Sequence, residues 1–352
     1  MARSPRSVDP VGPPVWSRRR LLATGGAWSA LGAASLAGCT VSDPALDSPS
    51  TAATTPAIGP TTATPPITPS AAAPGYPGPA RREQDLAELA RAVRRRTGWS
   101  GDQTTLLDLL VAAHTDHARV LASTDPAARS TGTTRVPAAV PSLDGLTNDE
   151  ALRRLATAET ALATVHRGAA RTATGLDALL WGSLAVAAEG FALVDDADPP
   201  SAVGLRSHRP AVILSDVAAT QQMVRQLHAI IWGYQLATGK LPVTSNARLR
   251  ALAGLLQHRI LRDRLITWLR SHEAEVPVAE AAYAPATNPT DAGSAGALIR
   301  TMETALLPFC GLWLAAAGST PDRDLALKTL GSTARTGRSW GGGVRGWPGW
   351  SD

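Results

Sequence analysis

From about Arg82 onward, apolar residues recur at the three-to-four spacing of a helix, and no stretch alternates as a half-buried strand does. A chain patterned this way buries its apolar faces by packing helix against helix. The breakers fall between such segments: Gly98, Asp125-Pro126, Asp198-Pro199-Pro200, Gly239 and Thr320-Pro321. The spacing predicts helices over 82–97, 102–123, 148–172 and 174–194, then over 212–238, 244–272, 294–318 and 321–335. Thr147-Asn148-Asp149-Glu150 gives one of them a Thr cap with an acidic third residue. The expected fold is all-α, with two antiparallel four-helix bundles at 81–200 and 211–337. A Gly/Trp-rich tail follows at 338–352, read as flexible around Gly341-Gly342-Gly343. Sequence similarity between the two blocks is too weak for a repeat.

Charge narrows the partners. The formal net charge is +5, but residues 1–38 hold five arginines against one aspartate. The rest balances 29 basic against 28 acidic residues, so the folded part lacks the basic footprint of a nucleic-acid binder. Cys39 and Cys310 are the only cysteines, without Cys-x-x-Cys spacing, which excludes thiolate zinc sites and disulfide scaffolds. Cys310 lies in an apolar run beside Pro308, as a packed core thiol would.

Ser17-Arg18-Arg19-Arg20-Leu21-Leu22 opens a weakly apolar, Gly- and Ala-rich run ending at Leu36-Ala37-Gly38-Cys39. A charged start, an uncharged middle and a small-residue end read as an export signal over 1–38. Arg18 and Arg19 resemble the twin-arginine signal, and the last four residues resemble the bacterial lipobox. That resemblance implies lipidation of Cys39 and a place on the outer face of the cytoplasmic membrane. The expected partners are the membrane, the twin-arginine export machinery and another envelope protein. Residues 41–80 carry ten prolines and eleven Ser or Thr, too polar for a core, so 39–80 reads as a disordered tether.

The second block carries Leu227-His228-Ala229-Ile230-Ile231-Trp232-Gly233-Tyr234, then His258-Arg259 and Arg262-Asp263. Ala282-Tyr283-Ala284-Pro285, Met302-Glu303, Arg338-Ser339-Trp340 and Trp347-Pro348-Gly349 follow in order. Over about 212–350 this resembles the ferritin-like domain of unknown function found in bacterial envelope lipoproteins. The resemblance implies a ferritin-like bundle and no particular activity. Family members commonly have Glu before the first His, where this chain has Leu227.

A di-iron bundle of the ferritin type uses Glu-x-x-His on two helices, and no Glu here has a His three places on. Two other clusters remain. His114 and His117 share the apolar face of the second helix, and Glu159 and His166 lie on one flank of the third. Together they have the nitrogen and oxygen donors of an iron, zinc or copper site, or they are core residues bonded to one another. In the second block, Glu303 sits among Ile299, Leu306 and Leu307, and Asp263 aligns with Leu256, Ile260 and Thr267. With His228 they form a second candidate polar cluster. There is no Gly-x-Ser-x-Gly elbow and no phosphate loop. The leading expectation is a non-catalytic interaction or scaffold module, with no catalytic residue and no assigned cofactor. The alternatives are a metal-binding or metal-dependent redox protein, and a small-molecule binder using a cleft between the bundles.

Overall fold

The computed structural model describes residues 75–123, 125, 142–196, 199–203, 205, 212–285 and 287–351. Arg18, Arg19, Cys39 and the tether up to residue 74 lie outside the described residues. Eight α-helices occupy the described chain: α1 (Pro77–Arg94), α2 (Gly101–Leu121), α3 (Asn148–Thr172), α4 (Gly175–Phe191), α5 (Asp216–Thr238), α6 (Asn246–Ser271), α7 (Ala292–Ala316) and α8 (Thr320–Ser339). A short 3-10 turn, Ala192–Asp195, extends α4.

Local chemistry fixes most of the boundaries. Ser100, Thr147, Ser215, Ser245, Asp291 and Ser319 each accept a hydrogen bond from the third backbone N–H of the following helix. At Ser100, Thr147 and Asp291 the third residue also bonds back, completing a capping box. The first helix starts five residues before its expected position, because Pro77 sits in the first turn, where the missing N–H has no helical partner. The seventh is assigned as helix through Pro308. The carbonyls just beyond its end are met by the buried Arg323 of α8, which donates to Ala317 O and Gly318 O.

One apolar cluster joins Leu86, Leu107, Leu110, Leu155 and Phe191 in the first four helices. A larger one runs from Leu179, Trp181 and Leu184 of α4 into Met223, Tyr234, Ile299, Trp313 and Leu330 of the last four. The fourth helix therefore serves both cores. By length and composition α4 with its 3-10 turn, and α7, are apolar enough to cross a membrane, but most of each is buried within the protein. Gly182 lets α4 approach α7, since a Cβ there would strike Leu314. Between α4, α7 and α8 a void of about 20 Å³ remains, room for roughly one water and too little for an organic ligand.

The tail is not flexible where the structure describes it, which corrects the expectation for 338–352. Val344, Trp347 and Trp350 are buried. Val344 donates to Ser201 O and accepts from Val203 N, an isolated bridge alongside Ala202. Gly341 and Gly349 supply the left-handed turns, at φ of 83° and 97°, that fold the segment back.

Candidate metal centre

The helical repeat places His114 and His117 one turn apart on the buried face of α2, and Glu159 and His166 two turns apart on that of α3. The structure brings all four together around a fifth residue absent from the sequence reading, Glu83 of α1. All five are at most 1% exposed. Glu83 Oε2 lies 2.6 Å from His114 Nδ1 and 3.2 Å from His117 Nδ1, and its Oε1 lies 2.7 Å from His166 Nε2. His114 Nε2 meets Glu159 Oε1 at 2.6 Å, and His117 Nε2 meets the backbone carbonyl of Gly346 at 2.8 Å. Phe191 packs against both α2 imidazoles, Trp181 stacks on His166, and Trp347 stands edge-on to His117. The walls are thus aromatic and the site is closed.

Proton accounting limits what such a site can be. Five polar contacts need five hydrogens, and three neutral imidazoles carry three. Two more protons, held within the cluster, complete the contacts and cancel the two carboxylate charges. The electrostatics follow this pattern. Burial pushes the Glu83 carboxyl up, but the charge of His117 and hydrogen bonds from the three histidines hold it well below its usual range. Burial pulls His114 down, yet Glu159 and Glu83 on its two sides lift it to about 10. Burial, with the charge of Glu83 adding, leaves Glu159 raised despite the pull of His114.

One divalent ion would supply the same charge as those two protons. Ligand atoms of Glu83, His114 and His117 lie within 4.8 Å of one another. In a tetrahedral nitrogen/oxygen site, bonds of about 2.0–2.2 Å put ligand atoms about 3.3 Å apart. The 3.2 Å between Glu83 and His117 already fits, and the 2.6 Å to His114 must open by about 0.7 Å. His166 Nε2 stands at the other carboxylate oxygen. Glu159 and the Gly346 carbonyl would then accept the outward N–H of His114 and His117, the arrangement that fixes tautomer and ring orientation in metal sites. Glu159 Oε2 and His166 Nδ1 are buried without a partner among the described residues.

The second predicted cluster assembles differently. Glu303 is buried, but Asp263 is exposed and bonded to its neighbour Arg262. The His228 ring donates to Pro277 O at 3.3 Å and is held low by burial. The grouping of His228, Asp263 and Glu303 is therefore corrected. The buried face of α6 is Ala251, Gly254, Leu255, His258, Leu265 and Leu269, so Leu256 and Ile260, which align with Asp263, point to solvent. Glu303 Oε1 instead accepts from His258 Nε2 at 2.7 Å and from the Tyr234 hydroxyl. Cys310 is buried, with its thiol pushed up to about 12 by burial.

Residues 219–352 match a family described as a domain of unknown function, DUF4439. A solved structure of a conserved hypothetical protein from Mycobacterium tuberculosis is 26% identical, covering 36% of this chain and 93% of that one, with a TM-score of 0.34. No curated protein matches.

Proposed function

We propose that this chain is an exported, lipid-anchored protein of the cell envelope whose N-terminal helical block binds one transition-metal ion. Glu83, His114 and His117 are the ligands, His166 braces the other oxygen of Glu83, and Glu159 and the Gly346 carbonyl orient two of the imidazoles. The carrying observation is the closed cluster of two carboxylates and three imidazoles, at most 1% exposed, whose charges balance with two extra protons or one divalent ion. Iron, zinc and copper suit such a donor set. Because the site is closed off from the surface, it favours a structural role over turnover. Anchoring rests on Arg18-Arg19 and Leu36–Cys39, and the tether would hold the helices away from the membrane.

The test is elemental analysis of the full chain purified from its native host without chelator. Close to one equivalent of iron, zinc or copper is expected, lost in His114→Ala/His117→Ala protein that keeps its helical circular dichroism. No metal, either as purified or after reconstitution, would sink this reading. A second reading, an interaction module, is favoured by one observation. Leu249, Leu252, Leu256 and Ile260 form an exposed apolar ridge along α6, of the kind that marks docking surfaces.

A further inference from the structure

The two helical blocks share a register that sequence similarity hides. The third and seventh helices are both 25 residues long, start 144 residues apart (292 less 148), and both open with a capping box. His114 and Glu159 are 45 residues apart, and so are His258 and Glu303. The second pair again lies 144 residues after the first (258 less 114), and each pair makes the same bond, His Nε2 to Glu Oε1, at 2.6 and 2.7 Å. At the same offset Glu83 becomes Leu227, His117 becomes Leu261 and His166 becomes Cys310. At these positions the second block lacks three donors that the first has, and it shares one bonded pair with it.

A third donor reaches that pair from a new position. Tyr234 of α5 donates to the same Glu303 oxygen, through space that Gly254 leaves open on α6. A Cβ on Gly254 would come within 2.9 Å of the Tyr234 hydroxyl. Glu303 thus has one oxygen holding two hydrogen bonds, while Oε2 is buried with no partner among the described residues. Both contacts fall on Oε1, so the buried Oε2 remains to be satisfied. Unlike the first cluster, this one adjoins open space. Glu303 and His258 line a cleft of about 380 Å³ between α6 and α8, and His258 keeps 8% exposure.

We infer that the C-terminal block holds a second metal centre, independent of the first, in which Glu303, His258 and Tyr234 ligate one transition-metal ion. When Tyr234 ligates, its hydroxyl proton leaves to solvent and the phenolate takes its place. The donor set, one imidazole, one carboxylate and one phenolate, suits a hard or borderline ion such as iron. Three protein ligands leave a coordination position facing the cleft, the property that separates reactive metal sites from closed structural ones. Arg264, Lys328 and Arg335 line the same cleft, so the exogenous ligand drawn there is a small anion.

The test is titration of the metal-free full chain with ferric citrate. A second equivalent and a visible phenolate-to-iron band are expected, and the His114→Ala/His117→Ala protein should still bind one equivalent and show the band. Tyr234→Phe should remove the band, and Glu303→Gln should remove the second equivalent, while either variant keeps the first. A near-isosteric His258→Asn variant repeats the test should Glu303→Gln fail to fold, with circular dichroism monitoring both. An equivalent and a band that survive in folded Glu303→Gln or His258→Asn protein lacking the first site overturn the proposal, as does a His114→Ala/His117→Ala protein that binds no iron or shows no phenolate band.

Discussion

Loading the first centre should release two protons per metal ion. In the metal-free protein, His114 lies between two carboxylates, and His117 between Glu83 and the Gly346 carbonyl, so each ring needs hydrogens on both nitrogens. His166 needs one, towards Glu83. In the loaded protein, His114 and His117 keep only the hydrogens facing Glu159 and Gly346, and His166 keeps one, so two protons leave as the ion enters. Zinc titration by calorimetry in buffers of differing ionisation enthalpy measures the number directly. The apparent association constant should rise with pH around neutrality, because protons compete with the ion for the ligands. A release near zero, or an affinity flat across that range, would refute both the charge assignment and the choice of ligands.

The metal-free protein should lose stability with rising pH. His114 is raised from 6.5 to about 10, so its contribution is full below about 6.5 and vanishes as pH climbs through about 10, a loss of a few kcal/mol seen in melting temperatures. Gly311→Ala should dislodge the tail, since its Cβ would collide with the Gly349 carbonyl and approach Leu179 to 2.8 Å. The expected cost is about 1–3 kcal/mol by thermal unfolding, with metal affinity falling about 10- to 100-fold as His117 loses its carbonyl acceptor. Cys39→Ser should move the protein from the membrane pellet to the soluble fraction after cell fractionation; an unchanged distribution would count against the lipid anchor.

The helical period exposed His114, His117, Glu159 and His166 because each lies mid-helix, where 100° per residue places a side chain reliably. It did not expose Glu83. With the first helix expected to start at residue 82, an acid at 83 belongs in its first turn, where a carboxylate suits the helix dipole and needs no further explanation. The helix in fact begins at Pro77, which carries Glu83 inward onto the buried face with Ala80, Leu86 and Ala87. The sixth helix misleads for another reason. It bears leucine on several sides, and its buried face is marked by the small residues Ala251 and Gly254 rather than by its most apolar stripe. Tyr234 needs that missing Cβ to reach Glu303, a relation between two helices that periodicity along one cannot show. The tail is similar: its glycines suggested mobility, but Trp347 donates to Asp116 of α2 and shields His117.

The closure of the first centre bears on how the proposed protein could acquire its metal. A site this enclosed would exchange an ion only when the surrounding helices open, and its Gly346 acceptor lies 229 residues along the chain from His117. Export by the twin-arginine route, which carries folded proteins, would let the ion enter before the membrane is crossed, while an unfolded chain would have to find it outside. The two centres would then differ in when they can be filled. The first would be set at folding. The second, beside a cleft and with one ligand partly exposed, would remain open to exchange with its surroundings afterwards. A structural ion in one block and an exchangeable one in the other would give each half of the same quasi-repeated framework a separate task.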